Sequence, residues 1–241
     1  MMTTLKSPID EYTHIIHVAD CHIRLTKRHD EYYKIFDKLY IEIEKSPLTT
    51  VVVIVGDIFH SKSDLSPECI QMASDLFKKI SLIRPLVIVA GNHDCNLVNK
   101  NRLDSLTPII ESLNSSNIFY LRNTGLYGFG NILWNNMSVF DDPQNYILFK
   151  DIPKVYKNKY KHIIALFHGA VNNASLDNGY TVTNPIIMPE LFDNHNIALL
   201  GDIHKQQDIE LNNNEVVISE NDIDNYDMNY WEVIEEIDME K

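Results

Sequence analysis

Five clusters of metal-ligand residue types recur along the chain, each at the end of a short apolar run: Asp20-Cys21-His22, Gly56-Asp57-Ile58-Phe59-His60, Gly91-Asn92-His93-Asp94, His168-Gly169 and Gly201-Asp202-Ile203-His204. Carboxylate, imidazole and amide groups in such a set match what phosphoester hydrolysis asks of a protein. That reaction needs a nucleophile at neutral pH and charge stabilisation on the phosphoryl oxygens, and two divalent ions roughly 3.5–4 Å apart with a shared bridging ligand supply both. A carboxylate is the natural bridge. The mixed nitrogen and oxygen ligands suit manganese, iron or zinc better than calcium, and the lack of clustered cysteines argues against a structural zinc site.

Rigid ligands need rigid carriers. The runs 13–19, 50–55, 86–90, 162–167 and 197–200 are short, rich in β-branched residues and nearly continuously apolar, as strands buried on both faces are. Each delivers its polar cluster at its C-terminal end, the edge of an α/β sheet where ligand sites form, so the clusters are expected to converge on one crevice. Gly56, Gly91, Gly169 and Gly201 lie within these clusters, where a missing Cβ permits tight turns and close backbone approach. Between the runs, residues 30–45 carry Tyr32, Phe36, Leu39, Tyr40 and Ile43 at the spacing of an amphipathic helix. Ser66 and Pro67 open a second helix with a buried stripe of Ile70, Ala73, Leu76, Phe77 and Ile80, and residues 107–113 form a third. Residues 118–139, punctuated by Gly125, Gly128 and Gly130, read as short strands of a second sheet. The polar stretch 169–179 reads either as a substrate loop at the rim of the site or as a surface loop.

The ordered set D-x-H, G-D-x-x-H, G-N-H-D, H-G and G-D-x-H resembles the calcineurin-like metallophosphoesterase superfamily, over residues 13 to 207. Within it, His17-Val-Ala-Asp-Cys-His-Ile-Arg-Leu25, Lys27-Arg-His-Asp-Glu-Tyr32 and Leu200-Gly-Asp-Ile-His-Lys205 are similar to the SbcD-type nucleases of DNA double-strand-break repair. The resemblance implies two packed mixed β-sheets flanked by helices, a four-layer α-β-β-α sandwich. It implies that Asp20, His22, Asp57 and His204 hold one metal, with Asp57 bridging to a second held by Asn92, His168 and Asp202. His93 would be the general acid, His60 would orient the phosphate or the DNA end, and Asp94 would hold His93 in position. One position departs from the pattern: SbcD-like proteins usually read G-H-x-H in the last motif, and Asp202 stands in place of the first His.

The 241 residues fit one domain, expected over 1–241 with an acidic C-terminal segment at about 220–241 and without the capping domain of the SbcD-like nucleases. No stretch approaches the ~18–20 apolar residues of a membrane span, and residues 1–10 lack the apolar core of an export signal. Cys21, Cys69 and Cys95 form an odd set without framework spacing, so an intracellular location, cytoplasmic or nuclear, is expected rather than secretion. Cys21 and Cys95 read as buried filler, with soft auxiliary ligation as the alternative. His14, His17, His29, His162 and His195 read as structural.

A net charge of −13 is unusual for a nucleic-acid enzyme, whose phosphate contacts normally leave a basic footprint. Two local basic groups stand against it, Arg24, Lys27 and Arg28 beside the first ligand pair, and Lys150, Lys154, Lys157, Lys159 and Lys161 interleaved with Tyr156 and Tyr160. Each either tracks a DNA backbone or is a solvated face. The expected function is a metal-dependent DNA nuclease with 3′-to-5′ exonuclease and single-strand endonuclease action in repair or recombination. The alternatives are a phosphoesterase on small molecules or phosphoproteins and a non-catalytic scaffold. Two divalent ions are expected, manganese first, with magnesium, iron or zinc as alternatives. The resemblance implies DNA as substrate, an SMC-like coiled-coil ATPase as partner and a homodimer through residues 101–113.

Overall fold

The computed structural model describes residues 2–62, 64–99, 102–172, 174, 181–183, 187–203, 207–211, 214–218 and 235–240, with backbone alone for 207–211, 214–218 and 235. In the first half, β1 (Met2–Thr4) and β2 (His14–Val18) precede α1 (His29–Lys45), β3 (Thr50–Val55), α2 (Pro67–Ile83), β4 (Leu86–Val89), α3 (Leu106–Leu113) and β5 (Ile118–Tyr120). The second half runs β6 (Gly125–Phe129), β7 (Ile132–Met137), α4 (Lys154–Lys157), β8 (His162–His168), β9 (Ile197–Gly201), β10 (Gln207–Leu211), β11 (Asn214–Ile218) and β12 (Glu235–Asp238).

Two mixed sheets result. One has the order β12-β2-β3-β4-β5, parallel except for the antiparallel edge strand β12. The other has the order β1-β6-β7-β8-β9-β11-β10, with β6–β7 and β10–β11 antiparallel. Side chains alternate across each strand, so Ile15, Ala19, Val51, Val53 and Val55 meet Trp134, Ile164, Leu166 and Leu199 between the sheets. The opposite face of the first sheet, Ile16, Val18, Val52, Ile54 and Ile88, packs on Phe36 and Leu39 of α1 and Leu76, Phe77 and Ile80 of α2. The outer face of the second sheet is covered by short helical turns, with Phe192 packed against Phe167 and Leu200, and Ile152 against Leu133 and Ile163. The four layers are those expected, the last of them built among the described residues from short turns.

The helices form where their signals stand. Ser66 Oγ accepts the Cys69 amide at 3.2 Å ahead of Pro67, a cap that satisfies one orphan donor of α2. Asp30 and Glu31 occupy the first turn of α1 and Lys45 its last, each favourable to the helix dipole. Ile70 corrects the expected stripe. It is 41% exposed, while Cys69 and Met72 are buried, because the stripe centres on Cys69, Ala73, Leu76 and Ile80 and leaves Ile70 on its flank. Residues 118–139 are also corrected. They do not form one sheet: β5 lies parallel to β4 in the first sheet after the α3 crossover, and only β6 and β7 enter the second. The acidic C-terminal segment contributes β12, held to β2 and by Met239 N to Thr13 O at 2.8 Å, while residues 219–234 lie outside the described residues.

Candidate metal centre

The five clusters do converge, but from two sheets: β2, β3 and β4 of one and β8 and β9 of the other bring their C-terminal ends together. The chain beyond β2 and β3 continues as a ladder, with Asp20 N on Gly56 O at 3.1 Å, His22 N on Asp57 O at 2.9 Å and His60 N on Ile23 O at 3.1 Å. Across the gap, Asp202 N reaches both carboxylate oxygens of Asp20, at 3.0 and 2.9 Å. This ladder bends sharply. Asp20, His22, Asp57 and Asp202 all have positive φ, 54°, 46°, 52° and 85°, a region costly for residues with a Cβ and one that persists where surrounding structure enforces it. Gly56, at φ 80°, shares that turn, and a Cβ there would press on the backbone of Gly91 at 2.7 Å. A Cβ on Gly91 would collide with the Asp57 amide and carboxylate, and one on Gly201 would stand 2.7 Å from His168 Nδ1.

Asp57 is the hub. Its Oδ1 lies 3.3 Å from His168 Nε2 and accepts the His93 amide at 2.7 Å, while its Oδ2 lies 3.7 Å from His22 Nε2. Ligand atoms of Asp20, Asp57 and His168 lie within 4.8 Å of one another, as do those of His22, Asp57 and His93. Asp202 Oδ1 stands 3.7 Å from His168 Nε2 and accepts the Asn92 amide at 2.6 Å. Asp20, Asp57 and His168 are buried, whereas the Asp202 side chain is 24% exposed, so the centre opens on the Asp202 side. His204 lies outside the described residues.

The donor set fits divalent ions. His168 Nδ1 sits 2.8 Å from the Val55 carbonyl, which can only accept, so Nδ1 carries a proton and Nε2, the ligand atom of the neutral ring, faces the carboxylates. Nε2 is buried and has no hydrogen-bond partner. In an ion-free centre the carboxylates favour the protonated form of His168. Burial by itself would lower the His168 pKa, but Asp57, with Asp20 and Asp202, pushes it up to about 10. Burial likewise would raise Asp57, but His168 and the His93 amide hold it at about 2. Burial, then the Asp57 charge, pushes Asp94 up to about 7. A cluster this short of positive charge is the environment two divalent ions would satisfy.

Around this centre the expected roles are partly redistributed. Asp94 accepts the Phe59 amide at 3.1 Å and the Gly91 amide at 2.9 Å, so it pins the two motif loops together. The His93 ring is held by its Nδ1 on the His60 carbonyl at 2.6 Å, not by Asp94. His22, His60 and His93 form a ring cluster with centroids 5.0 to 6.1 Å apart. Cys95 donates to Gly91 O at 3.4 Å, burial pushes its thiol up to about 12, and burial raises Cys21 further, so both are packing groups. Tyr32 donates to the His22 carbonyl at 2.5 Å and His29 Nε2 to the Arg24 carbonyl at 2.6 Å, tying the start of α1 to the first ligand loop. Val55 and Tyr32 were not legible as supports, because main-chain acceptors carry no residue-type signal.

The two basic groups part company. Arg24 and Arg28 stay beside the first ligand pair, Arg28 in an ion pair with Glu31. The lysines of 150–161 sit at the other end of the seven-residue strand β8, so Lys161 is roughly 20 Å from His168. There Lys161 pairs with Glu240 at 2.5 Å and Glu11 at 3.6 Å, and Lys157 lies 4.3 Å over the Phe149 ring. Of the 169–179 stretch, residues 173 and 175–179 lie outside the described residues. Among the described residues, no helix is long and apolar enough to cross a membrane.

Fold and centre together define a metallophosphoesterase. Residues 13–206 match the family model described as calcineurin-like phosphoesterase, and the chain belongs to that family of phosphoester hydrolases, whose members typically bind two divalent metals. It is 44% identical over 205 residues to "Uncharacterized protein R555" of Acanthamoeba polyphaga mimivirus, a match covering 82% of this chain and 15% of that protein. The chain thus spans about 15% of the length of this curated relative. Among solved structures, a putative 5′-nucleotidase from Staphylococcus aureus in complex with alpha-ketoglutarate is similar with a TM-score of 0.53 at 14% identity, over 86% of this chain and 48% of that one. The phosphopantetheinyl hydrolase PptH from Mycobacterium tuberculosis gives a TM-score of 0.48 at 10% identity, over 87% of this chain and 89% of that one.

Proposed function

We propose that the chain is a two-metal phosphodiesterase that cuts DNA. The observation that carries the two-metal part is Asp57, whose two oxygens face different histidines, His168 through Oδ1 and His22 through Oδ2. Asp20, His22, Asp57 and His204 would hold one ion, and Asp57, Asn92, His168 and Asp202 the other. Bound there, the ions would supply a nucleophile at neutral pH and charge stabilisation on the phosphoryl oxygens. Ligation through Asn92 would use its amide oxygen, while its amide nitrogen donates to Asp202.

The chain's own groups do the rest. His93, half-buried at the rim and fixed through Nδ1, presents Nε2 for proton transfer to the leaving oxygen. His60, exposed beside it, orients the phosphate. Asp94 keeps both loops in register through the Phe59 and Gly91 amides.

The DNA part rests on the SbcD-like segment from His17 to Tyr32, which folds against the centre through Tyr32 and His29 and carries Arg24 there. An ATPase partner and a homodimer through 101–113 follow from the same resemblance, and copurification and sedimentation test them. A second reading, hydrolysis of small phosphoesters, is favoured by one observation: the lysines of 150–161 lie at the far end of β8 and offer the centre no basic track. Plasmid nicking and digestion of single- and double-stranded DNA in manganese, run beside mononucleotide, cyclic-nucleotide and nitrophenyl-phosphate hydrolysis, separate the two. DNA cleavage lost on Asp57→Asn substitution supports the first reading. Turnover confined to the small substrates replaces it with the second.

A further inference from the structure

The loop that leaves β4 for α3 is closed on the centre over residues 94–105, of which 100 and 101 lie outside the described residues. Both ends meet at Asp94: its carbonyl accepts the Ser105 amide at 2.9 Å and the Ser105 hydroxyl at 2.8 Å, while its carboxylate holds the Phe59 and Gly91 amides of the motif loops. Further along, the Asn96 side chain accepts the Val98 and Asn99 amides at 3.1 and 3.0 Å, and the Asn99 carbonyl accepts the Arg102 amide at 3.0 Å. A loop whose ends are joined and whose turns are bonded internally is preorganised for contact. Its outward side chains are nonetheless apolar: Val98 is 99% exposed, Leu103 67% and Leu97 40%. Single exposed apolar side chains are ordinary, but three between 97 and 103, on a loop rooted one residue beyond His93, mark a contact surface.

Charge selects the occupant. Residues 95–103 contain no acid, in a chain of net charge −13, and Arg102 is exposed among them. The acids at either end are turned inward. Asp94 is buried on backbone amides, and Asp104 is buried, accepting the Thr107 amide at 2.7 Å and pairing with Arg122 at 2.8 Å. An apolar and cationic surface beside a phosphoester centre suits a polynucleotide, whose bases offer flat apolar faces and whose phosphates attract arginine. Those faces are open where bases are unpaired; in a duplex, aliphatic side chains reach them only by unstacking a step. Resting on the DNA-cutting reading above, we propose that Leu97, Val98 and Leu103 cover unpaired bases flanking the phosphate to be cut and that Arg102 takes a neighbouring phosphate. The loop thereby makes single strands and frayed ends the better substrates.

The test uses the full chain in manganese with a short fluorescently labelled single strand, the same sequence as a blunt duplex, and bis-nitrophenyl phosphate. The wild type is compared with the triple variant Leu97→Ser, Val98→Ser, Leu103→Ser by fluorescence polarisation and cleavage kinetics. The variant should bind the single strand at least about fivefold more weakly, the low end of what one covered base contributes, and the loss should enter through KM and not kcat. Its kcat/KM on the single strand should fall relative to the duplex, and also relative to bis-nitrophenyl phosphate, which has no flanking bases. Arg102→Ala should lower the slope of log affinity against log salt by about 0.7, the value of one phosphate contact on a single strand, whereas the triple variant should leave that slope as it is. If the triple variant binds and cuts the single strand like the wild type, the proposal fails while the DNA-cutting reading stands. It fails equally if the variant keeps strand binding and instead turns a sedimenting dimer into a monomer, which assigns the surface to a second copy. If the wild type cuts no DNA, both fail.

Discussion

The ion-free chain should lose stability as the pH rises, through His168. Its imidazole is wholly buried against Asp57 and near Asp20 and Asp202, and its pKa in the folded state is about 10 against an ordinary value of 6.5. A histidine raised in this way stabilises the fold fully below its unfolded pKa and loses that contribution as the pH climbs through the folded one. Between pH 6.5 and 9 the folded state keeps a proton that the unfolded chain gives up. At 1.36 kcal/mol per pH unit, that window removes about 3 kcal/mol of stability. For a chain of this size the midpoint of thermal unfolding should fall on the order of 10 °C. Circular dichroism melts in EDTA across that range measure it. Saturation with manganese should abolish the fall, because a ligating His168 is neutral and the ions replace its charge. His168→Asn should flatten the ion-free profile. A flat profile in the ion-free wild type would refute the reasoning, since His168 would then not be the cation that the buried carboxylates share.

Lower on the pH scale, Asp94 acts in the same direction: its folded pKa of about 7 makes the charged form costly, so ion-free stability should already decline between pH 4 and 7. Asp57 sets the acid limit, its contribution being present above the ordinary carboxylate range and lost as the pH falls toward 2. Asp57→Asn should release both ions and cut hydrolysis by at least about 10²–10³-fold, with metal content by mass spectrometry as the check. Gly91→Ala should destabilise by about 1–3 kcal/mol and weaken metal binding together, since the added methyl meets the Asp57 amide and carboxylate; unchanged metal content would contradict the geometry. Asp202→Ala should lose the second ion, whereas Asp202→His should stay active and bind zinc more tightly relative to manganese. Two manganese ions bound with unchanged affinity by Asp202→Ala would remove Asp202 from the ligand set.

Much of this was readable from residue order alone. Continuous β-branched runs ending in ligand residues marked β2, β3, β4, β8 and β9 to within a residue or two, because burial on both faces keeps such strands almost wholly apolar, with His17 of β2 the interior exception. The Ser66 cap and the apolar stripes marked α1 and α2 through equally local rules. What the chain could not disclose by itself was how strands distant in sequence pair and stack. The run at 118–120 looks like its neighbours at 125 and 132, yet it joins the other sheet, since pairing depends on a crossover through α3 and not on composition. Likewise, the lysines of 150–161 precede a ligand strand in sequence but lie at its far end in space, one strand length from the centre. The sequence by itself determined the ligand types, their order and the strands that carry them. Only the tertiary structure decided that two sheet edges meet at Asp57, that left-handed backbone at Asp20, His22 and Asp57 bends the ligand loops there, and that carbonyls of Val55 and His60 aim two histidines. Those are main-chain contacts across long separations, and main-chain groups are the same at every residue.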